Sequence, residues 1–491
     1  MTKNPHKPTV AIAGASGFVG TALRKMLQPD YHIVALTRSP NRANMHHPDD
    51  PTEWRLCDLF SLSDVIKALE GVDYAYYLVH SMLPSSRLTQ ANFMDLDLLL
   101  GDNFGRAAQA NQLSQIVYLG GLLPEEEPEE NLSRHLRSRL EVEKCLYDFD
   151  TPVTSLRAGL IVGQGGSSLR MMVKLVQRLP IMVLPSWTLK QTQPIALQDV
   201  MKAMRLALGN TQYYNQAYDI GGPEVMTYRG MMERTAKMMN RKRFMLPVPL
   251  VSPTLSKYWV VSFSGSSMAL TGPLVESLRH NMVVRDNPLQ RELSQFGLKP
   301  FEAALRESLN EEGKEYPNPR KAHRKKDDEI IKQASYVRSV QRLPLPESKD
   351  AYWVAREYLR WLPHFVWPFL RVVVSHEGEI YFYFWPLREP LLQLRFQADQ
   401  SPRGRQLFLI VGGFLAQVEA GEFGRLEFRE VLQKRHIIAA IHDFRPRLPW
   451  YLYNASQALV HLLVMIGYRK HLRRLSQKQD GQLAYQPQIA T

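Results

Sequence analysis

Short runs of consecutive apolar residues alternate with longer amphipathic stretches over the first third of the chain. The runs are Thr9-Val10-Ala11-Ile12-Ala13, Tyr31 to Thr37, Val72 to Val79, Gln115 to Leu119 and Val153 to Leu156. A strand with no polar face is buried on both sides, as in a parallel sheet covered by helices, so the pattern predicts a doubly wound α/β domain. Beyond a polar stretch around Glu311 to Asp328 the pattern changes to period two. Glu379 to Trp385, Leu392 to Phe396, Gln406 to Val411, Gly424 to Arg429 and Ile437 to His442 alternate and are separated by turn residues. They predict an antiparallel sheet. A long helix is expected from Trp450 to Leu475.

The 491 residues exceed what one ordinary core accommodates, so a division is expected. The boundaries read from the pattern are an α/β domain over 1–312, a polar basic linker over 313–346, an α+β domain over 347–475 and a disordered tail over 476–491. Cys57 and Cys145 stand in no metal-ligand or redox spacing, which speaks against a disulfide framework and fits a reducing cytoplasm. The net charge of +13 favours anionic partners. The densest basic run, Arg320 to Lys326, reads as solvated linker, and basic residues are not interleaved with aromatics on one module, so nucleic-acid binding is not expected.

The first strand runs into Gly14-Ala15-Ser16-Gly17-Phe18-Val19-Gly20 and then a helix to about Leu27. Gly14 suits a tight turn, Gly17 a close backbone approach by a pyrophosphate, and Gly20 the packing of helix on strand. Free N–H groups at the helix start favour the phosphates. Together with the second strand this is a Rossmann-type dinucleotide fingerprint. Past that strand stands Arg38 rather than an acid, and a guanidinium suits a ribose 2′-phosphate, so NADPH is expected over NADH. Asp58 and Leu59 sit in a loop after Glu53-Trp54-Arg55-Leu56. The Asp58 carboxylate is positioned either to accept from an adenine amino group or to cap a helix beginning near Ser61. Val79 ends a further strand on the cofactor side.

These motifs, with Tyr77 to Met82, Pro194 to Val200, Tyr218 to Pro223 and Ser277 to His280, resemble the extended and atypical branches of the short-chain dehydrogenase/reductase superfamily, including its NmrA-like members. The likeness reaches to about Leu309. The whole pattern is similar to a bacterial group of two-domain NAD(P)-binding proteins with a C-terminal domain of unknown function. The resemblance implies a Rossmann sheet and an oxidoreductase. In that superfamily a Tyr, a Lys four residues later and a Ser at the preceding strand end carry out proton transfer. Here His135 stands where the Tyr belongs and Arg139 where the Lys belongs, with Gly120-Gly121 in place of the Ser. His135 is then a candidate acid or base, or a helical residue with no chemical role. Arg139 is a candidate to hold the nicotinamide ribose or a phosphate.

The loop Gly159 to Gly166 is a candidate lid over the substrate, and Met171 to Val176 reads as core. Tyr258, Trp259, Phe263 and Met268, with Arg279 as a polar anchor, would line an apolar pocket or form a seam between the halves. A curved sheet closed by a C-terminal helix resembles the START-like helix-grip fold, which implies an enclosed apolar ligand. Trp450 to Tyr468 carries no charged residue apart from His461 and is followed by Arg469, Lys470, His471, Arg473 and Arg474. Asn454, Ser456, Gln457 and His461 argue for a helix packed on its own sheet, with peripheral membrane contact at the basic end as the alternative. Three functions remain open. The first is an NADPH-dependent oxidoreductase on an apolar small molecule. The others are a non-catalytic NADPH-sensing or assembly protein, and a lipid-binding protein with a structural nucleotide.

Overall fold

The computed structural model describes residues 7–44, 50–80, 88–125, 127–248, 275–309, 336–419 and 423–483, with 261 and 272. The chain divides into two units, Met1–Leu83 with Leu100–Lys325, and Pro84–Leu99 with Lys326–Thr491.

The first unit is built on β1 (Thr9–Ala13), β2 (His32–Thr37), β3 (Glu53–Leu56) and β4 (Tyr74–Tyr77), with β6 (Gln115–Gly121), β7 (Val153–Ala158) and β12 (Gln216–Ile220). They form one seven-stranded sheet in the order β12-β7-β6-β4-β1-β2-β3. Every pairing within it is parallel. The order reverses direction at β1, the switch point where open α/β sheets bind their ligands. Each residue of β1 is buried, which is why that strand reads as unbroken apolar sequence. Helices α1 (Phe18–Leu27), α2 (Pro40–Ala43), α3 (Leu62–Ala68), α4 (Phe93–Ala110) and α5 (Arg134–Leu146) connect the strands. The core between sheet and helices joins Ile12, Leu23 and Tyr76 with Leu156, Val200 and Met204.

A smaller lobe of this unit packs α6 (Ser167–Arg178) with α8 (Tyr228–Met238) and α10 (Phe301–Ser308). The chain between passes through α7 (Leu197–Ala207) and, later, α9 (Pro288–Gln295). Short strand pairs stitch the lobe: β8 (Ile161–Val162) with β11 (Ile195–Ala196), β9 (Ile181–Pro185) with β14 (Phe244–Val248), and β10 (Gln191–Thr192) with β13 (Met226–Thr227). Met172 and Val176 are buried in its core, as the sequence predicts, and Leu169 is buried with them.

The second unit holds an eight-stranded sheet, β16 (Leu370–Val374), β17 (Glu379–Phe384), β18 (Pro390–Phe396), β19 (Arg405–Gly412), β20 (Gly424–Val431) and β21 (His436–Phe444), then β15 (Val337–Pro344) and β5 (Leu88–Gln90). All neighbours are antiparallel except β15 and β5, which pair in parallel. On one face α11 (Ala351–Phe365) and α13 (Gln457–Leu483) pack Val354, Tyr358, Met465, Tyr468 and Leu472 against Phe428 and Ile437. A break at Ser456 separates α13 from α12 (Trp450–Ala455).

Four expectations need correction. The linker expected over 313–346 gives way at Val337 to β15, whose polar residues are buried in the sheet: Arg338 is 8% exposed and Ser339 1%. The segment 84–99, expected inside the α/β domain, belongs to the second unit. The single helix from Trp450 to Leu475 is two helices, because Ser456 leaves helical geometry with φ −131°. Helix α13 continues to Leu483, so the tail expected from 476 is helical over its first turns. The polar stretch 313–335 lies outside the described residues. Among the described residues, no helix is long and apolar enough to cross a membrane.

His461 on α13 meets Ser339 Oγ of β15 at 3.0 Å. Burial pushes its pKa down from 6.5 to about 4. The folded state therefore binds this proton less readily than the unfolded state, so the stability linked to His461 is complete above about pH 6.5 and is lost as the pH falls towards 4. Urea midpoints measured from pH 7 to pH 4.5 should fall less steeply for His461→Gln than for the native chain. Equal slopes would remove His461 from the acid response.

Candidate functional site

Residues of the glycine-rich segment form the turn between β1 and α1. Gly14 has φ +88°, and a Cβ there would stand 3.1 Å from the Leu78 carbonyl oxygen. Gly17 is the N-cap of α1, and its N–H donates to Gly14 O at 2.9 Å. At Gly20 the helix passes so close to the turn that a Cβ would lie 2.3 Å from Gly14 O and 2.8 Å from Ala15 Cα. The first turn of α1 carries no acidic side chain, so nothing there opposes a bound anion. Ala15 is buried, Ser16 is exposed, and Phe18 and Val19 are half-buried. Arg24, nearly two turns along α1, donates through Nε to Ala15 O at 3.3 Å and is held by Asp50 at 2.7 Å. This brace was not evident from sequence. An arginine on the face of α1 that packs towards the turn was the only signal for it.

Arg38 is exposed directly after β2, ahead of Ser39, whose side chain caps α2. Of the two readings left open for Asp58, helix capping falls away. Ser61 caps α3, while Asp58 accepts from Phe60 N at 3.2 Å within its own turn. Leu59 is buried and its carbonyl accepts from Asn103 at 2.8 Å.

β4 and α5 bring together His80, His135, Arg139 and Val79. Leu78 N still donates to Ala13 O at 3.0 Å, and the chain then leaves the sheet with Val79 and His80. Ser133 caps α5 through Leu136 N, which sets His135 and Arg139 one turn apart on the helix. The imidazoles of His80 and His135 meet, Nε2 to Nδ1, at 3.1 Å with ring centroids 4.9 Å apart. Burial, then the neighbouring His80 and the Arg139 cation, hold the His135 pKa well below its ordinary value. His135 is therefore a neutral imidazole at neutral pH. Arg139 donates to Val79 O at 3.4 Å, its guanidinium lies 5.7 Å from the Tyr118 ring, and Tyr118 OH donates to Arg139 O at 3.0 Å. His80 was not singled out as a site residue from sequence. Its position one residue past a buried strand was the available signal.

Behind this group runs a ladder of charges across the ends of β6, β7 and β12. Glu143 of α5 accepts from Arg157 Nε at 2.9 Å. Arg157 sits opposite Asp219 in the sheet register. Asp219, 3% exposed, accepts from Arg285 at 2.5 and 2.9 Å. Burial works against the Arg157 charge, yet the Glu143 hydrogen bond and the carboxylates around it hold its pKa above the ordinary value. Arg157 and Asp219 are the charged residues of otherwise apolar or neutral strands, which was the visible hint.

The loop after Gly159 is not a free lid. It forms β8, paired with β11, and a Cβ on Gly163 would stand 3.0 Å from Phe18 Cζ, so the loop rests on the start of α1. Beside Arg279, Ser277 Oγ meets Ser133 Oγ at 2.8 Å. Tyr258, Trp259, Phe263 and Met268 lie outside the described residues, as do Ser81 and Met82. Among the described residues, no three His, Cys, Asp or Glu side chains stand where they could hold a metal ion.

With the switch point, the turn and the α5 pair in place, comparison with known proteins adds one decisive observation. Residues 10–221 match the model of the NAD dependent epimerase/dehydratase family. Over this stretch the chain resembles that family, and its sheet has the strand order of a Rossmann domain. A curated relative, the auxiliary protein GraX of Staphylococcus aureus, is 32% identical over 129 residues, which are 26% of this chain. The chain spans 41% of that relative's length. Among solved structures, a nucleoside-diphosphate-sugar epimerase from Staphylococcus aureus aligns at 13% identity and TM-score 0.48, over 60% of this chain and 98% of its own. The triphenylmethane reductase of Citrobacter sp., solved with NADP(H), aligns at 17% identity and TM-score 0.48, over 61% of this chain and all of its own.

Proposed function

We propose that the N-terminal unit binds NADPH and reduces a small, largely apolar acceptor without the Ser, Tyr and Lys of the usual short-chain reductases. The observation that carries this reading is the fit at the switch point: a glycine turn too close to the helix for any side chain, with His80, His135 and Arg139 gathered at the neighbouring strand end. Backbone N–H groups at the start of α1 would hold the pyrophosphate, Arg38 the ribose 2′-phosphate, Asp58 the adenine side and Arg139 the ribose near Val79. Bound there, the dihydronicotinamide would supply a hydride. The neutral His135 imidazole is a poor proton donor but a good hydrogen-bond donor. Together His80 and His135 would stabilise negative charge developing on the acceptor, and water would then supply the proton. The Arg157 ladder would fix α5 against the sheet, so that His135 keeps its place.

The test is titration with both reduced dinucleotides, supported by mass spectrometry of what denaturation releases. Arg38→Asp should weaken NADPH about tenfold to a hundredfold more than NADH, the range expected for losing a charged bidentate contact. Equal losses would refute the role of Arg38.

A second reading keeps the dinucleotide and drops turnover. It draws on Gly120-Gly121 standing where a serine hydroxyl would act and on the auxiliary role named for the Staphylococcus aureus relative. NADPH bound tightly but stable against a panel of quinones, aldehydes and dyes would favour it. For the second unit we keep the START-like reading. The order strand, helix, antiparallel meander and long terminal helix over one face supports it. An apolar molecule released on delipidation, unaffected by changes in the glycine turn, would bear it out.

A further inference from the structure

Aromatic side chains gather, exposed, at one end of the sheet in the second unit. Strands β16 and β17 are antiparallel with Leu370 opposite Phe384, so the residues before β16 and those after β17 share that end. There Trp367 is 79% exposed and Trp385 70%. Trp385 N donates to Phe369 O at 2.8 Å, which ties the two turns together. The meander returns the start of β18 and the ends of β19 and β21 to the same edge: Phe414 N donates to Pro390 O, and Gln417 N to Arg445 O, each at 2.9 Å. Exposed Phe414, Trp450 and Tyr451 thus lie on this end as well.

Helix α13 continues the surface. It buries Val464, Met465, Tyr468 and Leu472 against the sheet and exposes Leu459, Leu463 and Ile466 at successive turns. The same stripe then carries exposed Lys470 and Arg473. From 450 to 468 the chain has no acidic residue, and Arg371, Arg388 and Arg447 stand exposed beside the aromatic turns. Contiguous exposed apolar surface of this kind marks an interaction site.

We propose that this end of the second unit docks on an anionic phospholipid bilayer. Tryptophan and tyrosine favour the headgroup level, where a ring is half apolar and half wet. A stripe that passes from leucine and isoleucine to lysine and arginine along one helix matches a surface that is apolar inside and anionic at its face. Among the described residues the helix is not long and apolar enough to cross a membrane. A second copy of the chain would offer the basic stripe more basic residues, whereas the phosphates complement it.

The experiment uses the full chain and vesicles of phosphatidylcholine with or without phosphatidylserine, read by sedimentation and by the blue shift of tryptophan fluorescence. Native protein is expected to bind the phosphatidylserine vesicles and to bind pure phosphatidylcholine at least about tenfold more weakly, since anionic lipid supplies the electrostatic part. The double variant Trp367→Ala/Trp385→Ala and the charge variant Lys470→Glu/Arg473→Glu should each lose about tenfold or more on phosphatidylserine vesicles. Their circular dichroism and urea midpoints should stay native-like, which confirms that the second unit folds, and their dinucleotide affinity should stay unchanged. No binding to phosphatidylserine vesicles would overturn the proposal, as would binding that ignores both variants. A lipid-independent dimer abolished by Trp367→Ala/Trp385→Ala would overturn it in favour of self-association.

Discussion

Gly20→Ala is expected to reduce dinucleotide affinity about a hundredfold or more, equivalent to roughly 2.7 kcal/mol or beyond. The added Cβ would meet three backbone atoms, Gly14 O at 2.3 Å, Ala15 Cα at 2.8 Å and Ala15 C at 3.0 Å, none of which can rotate away. Relief requires α1 to move off the turn. That motion stretches the Gly17 N to Gly14 O bond and the Arg24 brace on Ala15, and it displaces the N–H groups that would face the phosphates. Fluorescence titration with NADPH measures the loss, and circular dichroism checks that the sheet remains. Native-like affinity in Gly20→Ala would mean that the phosphates bind elsewhere.

The largest stability effect is expected at Glu427 of β20. This carboxylate, 4% exposed, accepts from Arg405 Nε and from Arg429 Nε, each at 2.6 Å, and Arg429 is itself 1% exposed. His442 lies 3.9 Å away. Burial opposes the Glu427 charge, but the Arg429 and Arg405 cations hold its pKa well below the carboxylate range. Glu427→Gln removes the countercharge from two guanidiniums in a dry site and should cost about 3–5 kcal/mol of unfolding free energy. By contrast, Glu233→Gln, which breaks an exposed pair with Arg229 one helical turn away, should cost about 0.3–0.5 kcal/mol. Urea denaturation of the two variants decides the matter, and similar losses would show that the buried cluster has no special weight. Because the folded pKa is depressed, this contribution is present above about pH 4.5 and declines as the pH falls below it.

The parallel sheet was legible through β1, β2, β4, β6 and β7, which are largely buried and so read as apolar runs, whereas the edge strand β3, with Glu53 and Leu56 exposed, gave no such run. The glycine turn was legible because backbone crowding there leaves room for one residue type. β15 was not legible. Val337–Pro344 carries Arg338, Gln341 and Arg342, which look like linker, yet Arg338 and Gln341 are buried and Arg342 is half-buried, and distant partners meet Gln341 and Arg342. Asp95 accepts from Arg342 Nε at 2.8 Å, and Gln341 donates to Gln90 O at 3.1 Å, both across about 250 positions of sequence. The period-two strands from 379 to 442 were clear because one face is apolar and the other polar. In the site, His135 and Arg139 were found by their spacing on one helix. His80 and the Arg157 ladder were not, since they join residues from separate elements whose proximity only the sheet order creates.

Because β5 is residues 88–90 and pairs with β15 at residues 337–339, the second unit is assembled from two stretches of chain. A fragment ending at residue 330 would lack the strand that β5 lines up against, and a fragment starting there would lack β5 itself. Neither half is a removable module. During synthesis, residues 84–99 must wait until more than two hundred further residues have emerged before their sheet exists.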